Sequence, residues 1–430
     1  MGRGHSIIDT RLWQVLDSRG NPTVAACVRT ASGVGTAIAP SGASAGSHEA
    51  IFIRDGNADE YGGLSVRQHL LAVRASIQES LVGRDASDPQ DIDAALRALD
   101  PDPQLRSIGG NVGTAVSIAA WLAAADGEHQ APWEWLSAHH GRAPSIPMPM
   151  VNIISGGAHA GSMIDIQDIL VVPIGADSFS QAIEWCWRAR AGTRAVLDMQ
   201  GFTTALVADE GGLAAAFDAD ERAIEAVVAG IEHAGFRPGI DLAIALDVAA
   251  TECQVPGGYR MLGSVVTSEV FVDRVVRWRH EYPIVSIEDG AGEDDDPGWE
   301  RLAPMCADTQ VLGDDRYVTT VDRVELGMAR AEANSVLVKP NQAGTLGQAL
   351  RVVERALDAG WAPVVSARSG ETEETWLADL ATGTGAGQIK VGSTMRSERN
   401  AKWNRLLYLE QVHDLPFSGA AALAPRGAVE

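Results

Sequence analysis

The sequence predicts an α/β protein in two parts, a smaller strand-then-helix segment at residues 1–142 and a β/α barrel at residues 143–430. Three observations predict it. The apolar runs LAIALD, IVSIED, QVLGDD, SVLVKP, PVVSARSG and GQIKVG end near Asp247, Glu288, Asp314, Lys339, Ser366 and Lys390. After a wider first gap they recur about every 25 residues with amphipathic stretches between them, the period of a βα unit. Residues before 143 lack that period, and the Pro-rich APSIPMPM at 143–150 punctuates the change.

In chain order, Ser6 to Ala39 reads as β-rich, with runs such as TVAACV and a turn at Asp17-Ser18-Arg19-Gly20-Asn21-Pro22. A Gly/Ser/Ala-rich loop follows from Pro40 to Gly46, and residues 64–138 carry helical patterns, including LRALD and AVSIAAWLAAA. The six later strands then each finish on a charged or hydroxyl residue. In a barrel this collects those groups at the C-terminal mouth, where barrel enzymes carry out their chemistry.

Composition removes other classes. A net charge of −23 argues against a binder of nucleic acid or acidic membranes. The N-terminal MGRGHSIIDT has no apolar signal segment, and the longest apolar stretch, Thr114 to Ala125, is well short of the roughly 20 residues a span needs. A soluble, cytoplasmic protein is expected. Cys27, Cys186, Cys253 and Cys306 lack CxxC spacing and read as reduced structural thiols. Only three basic residues are Lys, at 339, 390 and 402; where Arg serves, this chain uses Arg, so each Lys marks a site needing a compact amine or one able to lose its proton. Lys402, in an Arg-rich helical stretch, reads as solvated or structural, and Glu293-Asp294-Asp295-Asp296 reads as a solvated loop.

Asp247, Glu288 and Asp314 end consecutive strands of the series. Three converging anions require a hard divalent cation, and oxygen-only ligands favour Mg²⁺. Lys339 and Lys390 stand on later strands; an amine beside bound metal has its pKa pushed down and serves as a base, while one that stays protonated pairs with a substrate carboxylate. Asp209-Glu210-Gly211-Gly212 and Gln167-Asp168 add acids across the barrel. Metal, base and acid together describe proton abstraction beside a carboxylate, followed by loss of a leaving group.

From about Ile7 to Glu410 the chain closely resembles the enolase (phosphopyruvate hydratase) family, in DSRGNPTV, SGASAGSHEA, MPMVNIISGGAHAG, DIQDILVVPIGA, ADEGG, ALDVAATE, YPIVSIED, VLGDD, VKPNQAGTL, SARSGETEETWLADLATGTGAGQIKVGS and RSERNAKWN. The resemblance implies an enolase-type modified TIM (β/α) barrel with a small N-terminal α+β capping domain, a homodimer or higher homo-oligomer, two Mg²⁺ per active site and a small anionic phosphorylated substrate. By the same resemblance Asp247, Glu288 and Asp314 hold the tighter Mg²⁺, and Ser44 binds the second as the 41–47 loop closes. Lys339 takes the C2 proton of a 2-phosphoglycerate-like substrate, Glu210 protonates the departing C3 oxygen, with Asp168 as a further acid, and Lys390 binds the carboxylate. Arg368, Ser369 and Gln167 hold the phosphate, with His159 near it.

Departures fall inside this site. Asp168 stands where the family carries Glu, Ala367 where it carries His, and Ala45 removes a hydroxyl beside Ser44; Gly290, in place of Pro, is milder. Shortening an acid moves its carboxylate by about one bond, and misplacement near 1 Å can cost about 10²-fold in rate. A space of imidazole size is expected beside Ala367. These changes lie on the substrate side and leave the metal carboxylates and both lysines in place, so the expectation is an enolase-type lyase specialised for another substrate or leaving group, of the kind used in phosphonate biosynthesis. The alternatives are an ordinary phosphopyruvate hydratase and a metal-binding pseudoenzyme.

Overall fold

The computed structural model describes residues 3–43, 46–261 and 263–423. The N-terminal part opens with the antiparallel strands β1 (Ile7–Leu16), β2 (Pro22–Thr30) and β3 (Val34–Ile38). Helices α1 (Arg67–Leu81), α2 (Pro89–Leu99), α3 (Gly110–Gly127) and α4 (Pro132–His140) follow. The longest apolar stretch lies inside α3, which is buried on nearly every face, as a helix apolar all round must be. It lies hard against the sheet: a Cβ on Gly35 would stand 2.1 Å from the Ala119 carbonyl oxygen, so only glycine permits this approach.

The second part begins with β4 (Met148–Ser155), β5 (Asp168–Val172), α5 (Phe179–Met199), β6 (Leu213–Ala214), α6 (Asp220–His233) and β7 (Ala243–Asp247). A small antiparallel sheet, β8 (Gln254–Val255), β9 (Gly258–Met261) and β10 (Ser264–Val266), precedes α7 (Ser268–Glu281) and β11 (Ile284–Glu288). Then come α8 (Asp296–Met305), β12 (Gln310–Gly313), α9 (Val321–Arg330), β13 (Ser335–Val338), α10 (Pro340–Ala343), α11 (Leu346–Asp358), β14 (Ala362–Ser366), α12 (Trp376–Gly383), β15 (Gln388–Gly392) and α13 (Ser397–His413). Strands β4, β5, β7 and β11 to β15 close into a barrel of eight through the β15–β4 pairing, with β6 added beside β4. The barrel is modified in one respect that matters for the site: β5 runs antiparallel to both β4 and β7, while the other barrel pairs are parallel.

Inside the barrel Met148, Met150, Leu170, Val172, Ala245, Leu312, Leu337 and Val364 pack as a core of their own, and the larger apolar core lies between barrel, helices and N-terminal part. No described helix is long and apolar enough to cross a membrane. The four cysteines are free, and all but Cys27 are buried.

The N-terminal part docks on the barrel mouth by backbone and side chain together. Ser41 and Gly370 exchange both N–H···O bonds at 2.8 Å, and the Ala50 N–H donates to the Gln342 carbonyl. Glu374 accepts from the Ile38 N–H at 2.7 Å and from Trp376 Nε1 at 3.1 Å. Burial pushes its carboxyl up to about 7 against these donors. A raised carboxyl favours the protonated fold, so its contribution is complete below the unfolded value near 4.5 and is lost as pH rises through about 7. Thermal melts should therefore show Glu374→Gln flattening the loss of stability across that window by up to about 3 kcal/mol; a slope identical to the parent's would disprove the assignment.

Lys402 and the 293–296 run depart from their solvated readings. Lys402 is buried, donating to the Thr372 carbonyl at 2.5 Å and pairing with Glu371 at 2.9 Å, so its structural role holds and the solvated one does not. In the 293–296 run Asp294 is the most exposed, with only loose pairs to His48 at 3.5 Å and Arg323 at 3.7 Å. Glu293 accepts the Ser47 N–H, Asp295 caps α8 and accepts from the Tyr259 hydroxyl, and Asp296 pairs with Arg316 and Arg330.

Candidate active site

The parallel strands deliver the expected residues to one mouth. Asp247, Glu288 and Ser366 are the last residues of β7, β11 and β14, Asp314 and Lys339 stand one residue past β12 and β13, and Lys390 lies within β15. Asp168 arrives by another route. It is the first residue of the reversed strand β5, whose start lies where its neighbours end, and it sits opposite Asp247 in the β5–β7 register.

Lys390 Nζ donates to Asp247 Oδ2 and Glu288 Oε2, both at 2.7 Å. Burial opposes charge on both acids. At Asp247 the Lys390 ammonium and Gln167 Nε2, donating at 3.1 Å, override it and hold the carboxyl below its ordinary value. At Glu288 burial and the neighbouring Asp247 charge win, and the carboxyl is pushed well up. Lys339 Nζ donates to Asp314 Oδ2 at 2.5 Å, and Gln342 Nε2 donates to Asp314 Oδ1 at 2.8 Å. Burial works to lower the Lys339 pKa, but Asp314 raises it, so in this arrangement the amine is held protonated instead of being poised as a base.

These residues fit a divalent cation. One ammonium is shared by the buried carboxylates of Asp247 and Glu288, and Glu288 Oε1 is buried without a partner among the described residues; the acids whose oxygens lie within 4.8 Å of one another are Asp289, Asp314 and Asp315, so the expected trio of Asp247, Glu288 and Asp314 is not gathered that closely in this arrangement. The all-oxygen donor set is the chemistry Mg²⁺ prefers. Asp289 is itself fixed, accepting the N–H groups of Asp314 and Asp315 at 2.9 and 2.8 Å. Ser44, the expected second-site ligand, lies outside the described residues, as does Ala45.

Opposite the lysines is an acid–imidazole group. His159, in the short turn of helix Gly157–Ala160, has Nδ1 2.9 Å from Asp168 Oδ2 and Nε2 4.0 Å from Glu210 Oε1. Burial would lower the His159 pKa, but the Asp168 and Glu210 charges raise it to about 9. Asp168 is fully buried and also accepts from Asn152 Nδ2 at 2.5 Å. Glu210 is carried by a Gly-rich turn that glycine makes possible: Gly211 has φ +84°, and a Cβ on Gly212 would meet Ser155 Oγ at 2.6 Å and Asn152 Oδ1 at 2.8 Å.

Arg368 is buried and paired with Glu49 at 3.0 and 3.3 Å; Ser369 is buried, with its Oγ lacking a partner among the described residues. Arg399 supports this corner from below, donating to the carbonyls of Arg368 (2.7 Å), Val391 (2.9 Å) and Ser369 (2.6 Å). Arg399→Met should strand those carbonyls and lower stability by roughly 3 kcal/mol, read as a drop in denaturation midpoint; an unchanged midpoint would contradict it.

His159, Gln167, Glu210, Asp247, Lys339, Ala367, Arg368, Ser369 and Lys390 all border one cleft closed over by Gly42 and Ala43. Asp168 stands behind the lining residue His159, as Glu288 and Asp314 stand behind Lys390 and Lys339. The free space is about 20 Å³, room for a single water, so the imidazole-sized space expected beside Ala367 is not there. Lys339, Lys390 and Arg368, each in an ion pair, line the cleft instead. The substitution at Gly290 is likewise closed over, since a Cβ there would meet Leu302 at 2.8 Å.

Sequence reasoning missed Glu49, Asn152, Asp289, Asp315, Gln342 and Arg399. Each lies within or beside a motif stretch quoted above, and the signal that could have found them was a polar side chain in a segment otherwise built for burial.

Acids, amines and amides gathered at the C-terminal mouth of a closed barrel place the chain among the β/α-barrel enzymes. Two family models identify which: the enolase C-terminal TIM barrel domain matches residues 143–422 and the enolase N-terminal domain matches residues 7–136. The chain belongs to the enolase family, whose members typically use Mg²⁺, and it is an enolase-type protein of the lyase class.

Proposed function

We propose that the chain is a specialised enolase-type enzyme that removes the C2 proton of a 2-phosphoglycerate-like substrate and forms an enolpyruvate product, in the manner of carboxyphosphonoenolpyruvate synthase in phosphonate biosynthesis. The observation that supports the specialisation is Asp168: fully buried and tied to His159 and Asn152, its short side chain holds the carboxyl back from the C3 side.

Asp247, Glu288 and Asp314 would hold Mg²⁺, with Asp289 and Asp315 behind them, and Ser44 would serve a second ion. Bound there, Mg²⁺ neutralises the carboxylates and stabilises negative charge as it develops on the substrate carboxylate. Lys339, released from Asp314, takes the C2 proton on Nζ. Lys390 remains an ammonium and pairs with the substrate carboxylate. Arg368, Ser369 and Gln167 take the phosphate, and Glu210 with His159 faces the C3 side, where a proton is delivered to the departing oxygen. Gly42 and Ala43 exclude water from above. We further propose a homodimer acting in the cytoplasm.

Turnover of 2-phosphoglycerate to phosphoenolpyruvate by the pure protein tests the specialised reading. It predicts a rate at least about 10²-fold below that of a family member carrying Glu and His at these two positions; an equal rate would favour the ordinary hydratase.

A further inference from the structure

The largest cavity described, about 610 Å³, is separate from the catalytic cleft and lies between the N-terminal part and the barrel. That volume is typical of a small-molecule site. In a chain of net charge −23 its wall carries three arginines, Arg97, Arg323 and Arg351, against two acids, Asp102 and Asp322. Asp102 is already drawn to Arg106 at 3.3 Å.

The carboxylates near the three guanidiniums are held loosely, with no ion pair shorter than 3.7 Å among the described residues. Among the described residues Arg97 Nη1 donates to the neutral carbonyls of Asp102 and Pro103, and its Nε is buried without a partner. Arg351 stands 4.0 Å from Asp93, and Arg323 stands 3.7 Å from Asp294 while donating to the Arg316 carbonyl. The first turn of the ten-residue helix α9 borders the same space. Its cap residue Thr320 makes no side-chain capping bond, so the turn's N–H groups are unclaimed by a cap.

We propose that this interdomain cavity is a second binding site for a small molecule bearing a phosphate or phosphonate group. Forked guanidiniums and a helix N-terminus are the donors such a group takes. The floor of the cavity also joins it to the catalytic residues. Thr319 and Gln342 line it, Thr319 Oγ1 donates to Gln342 Oε1 at 2.8 Å and accepts the Lys339 N–H at 2.9 Å, and Gln342 reaches Asp314 and Glu49. An occupant therefore rests on the residues that position Lys339 and Asp314. This site does not depend on the reaction assigned to the cleft.

Calorimetric titration of the full chain with inorganic phosphate tests it. The wild-type protein should bind two phosphates. Arg97→Gln/Arg351→Gln, and separately Arg323→Gln, should weaken one of them at least about tenfold with an unchanged melt, while Arg368→Gln should weaken only the other. Repeating the titration with 2-phosphoglycerate and Mg²⁺ in the cleft separates two sources of the anion: a cavity phosphate that still binds marks a separate effector, and one that is displaced marks the far end of a two-ended substrate. Wild-type number and affinity in the cavity variants, or a wild-type protein whose every bound phosphate is lost with Arg368→Gln, would overturn the proposal. Failure of the Arg368 event alone would count against the cleft reading and leave the cavity standing.

Discussion

Lys339→Met should abolish exchange of the substrate C2 proton, a loss on the order of 10⁴-fold, while leaving the fold intact. No other amine is placed to replace it. Lys390 is committed to Asp247 and Glu288 at 2.7 Å each, and Lys402 is buried behind the Arg368 corner, tied to Glu371 and the Thr372 carbonyl. The Lys339 ammonium itself is held by Asp314, which raises its pKa. The amine can act as a base only once that carboxylate has another cation. Chelating Mg²⁺ should therefore silence exchange as completely as the mutation does, and exchange should return when the ion does. Retention of exchange by Lys339→Met, followed by NMR of the C2 position, would remove Lys339 from the role of base.

Asp168→Glu combined with Ala367→His should raise turnover of 2-phosphoglycerate to phosphoenolpyruvate by about 10²-fold over the parent. The longer side chain adds the bond length that now keeps the carboxylate behind His159 and Asn152, and the imidazole restores a hydrogen-bonding group to the cleft wall. The gain should appear mainly in kcat, since the groups assigned to the substrate's phosphate and carboxylate are untouched. Because the cleft has little free space, each single variant is expected to give less than the pair. Steady-state kinetics of the parent, both singles and the double variant decide this; no gain in the double would show that these positions do not set the difference.

The barrel was legible because parallel strands repeat. Each βα unit returns the chain to the same mouth at nearly constant spacing, so Asp247, Glu288, Asp314, Lys339 and Lys390 could be grouped from spacing alone. Asp168 could not be placed that way, since the reversal of β5 has no period to announce it. Glu49 and Gln342 lie 293 residues apart in sequence yet hydrogen-bond at 3.1 Å. Contacts that distant follow from how the two parts dock, which no local pattern encodes. Lys402 misled for a related reason: a charged residue on a helix reads as solvated until the acid it meets, Glu371, is brought over it by a separate strand and loop. The cleft around Ala367 failed for a different cause. Deleting a side chain in sequence opens space only if the neighbours stay put, and here charged neighbours close around it.

The central claim is that this barrel mouth abstracts a proton beside a carboxylate. The measurement that tests it most directly is proton NMR of 2-phosphoglycerate held with the full-length protein and Mg²⁺ in deuterated water. The account predicts loss of the C2 proton signal in the wild type, faster than phosphoenolpyruvate accumulates, and no loss with Lys339→Met. A C2 signal that persists with the wild-type protein, in the presence of Mg²⁺ and with phosphate-group binding demonstrated, would contradict it.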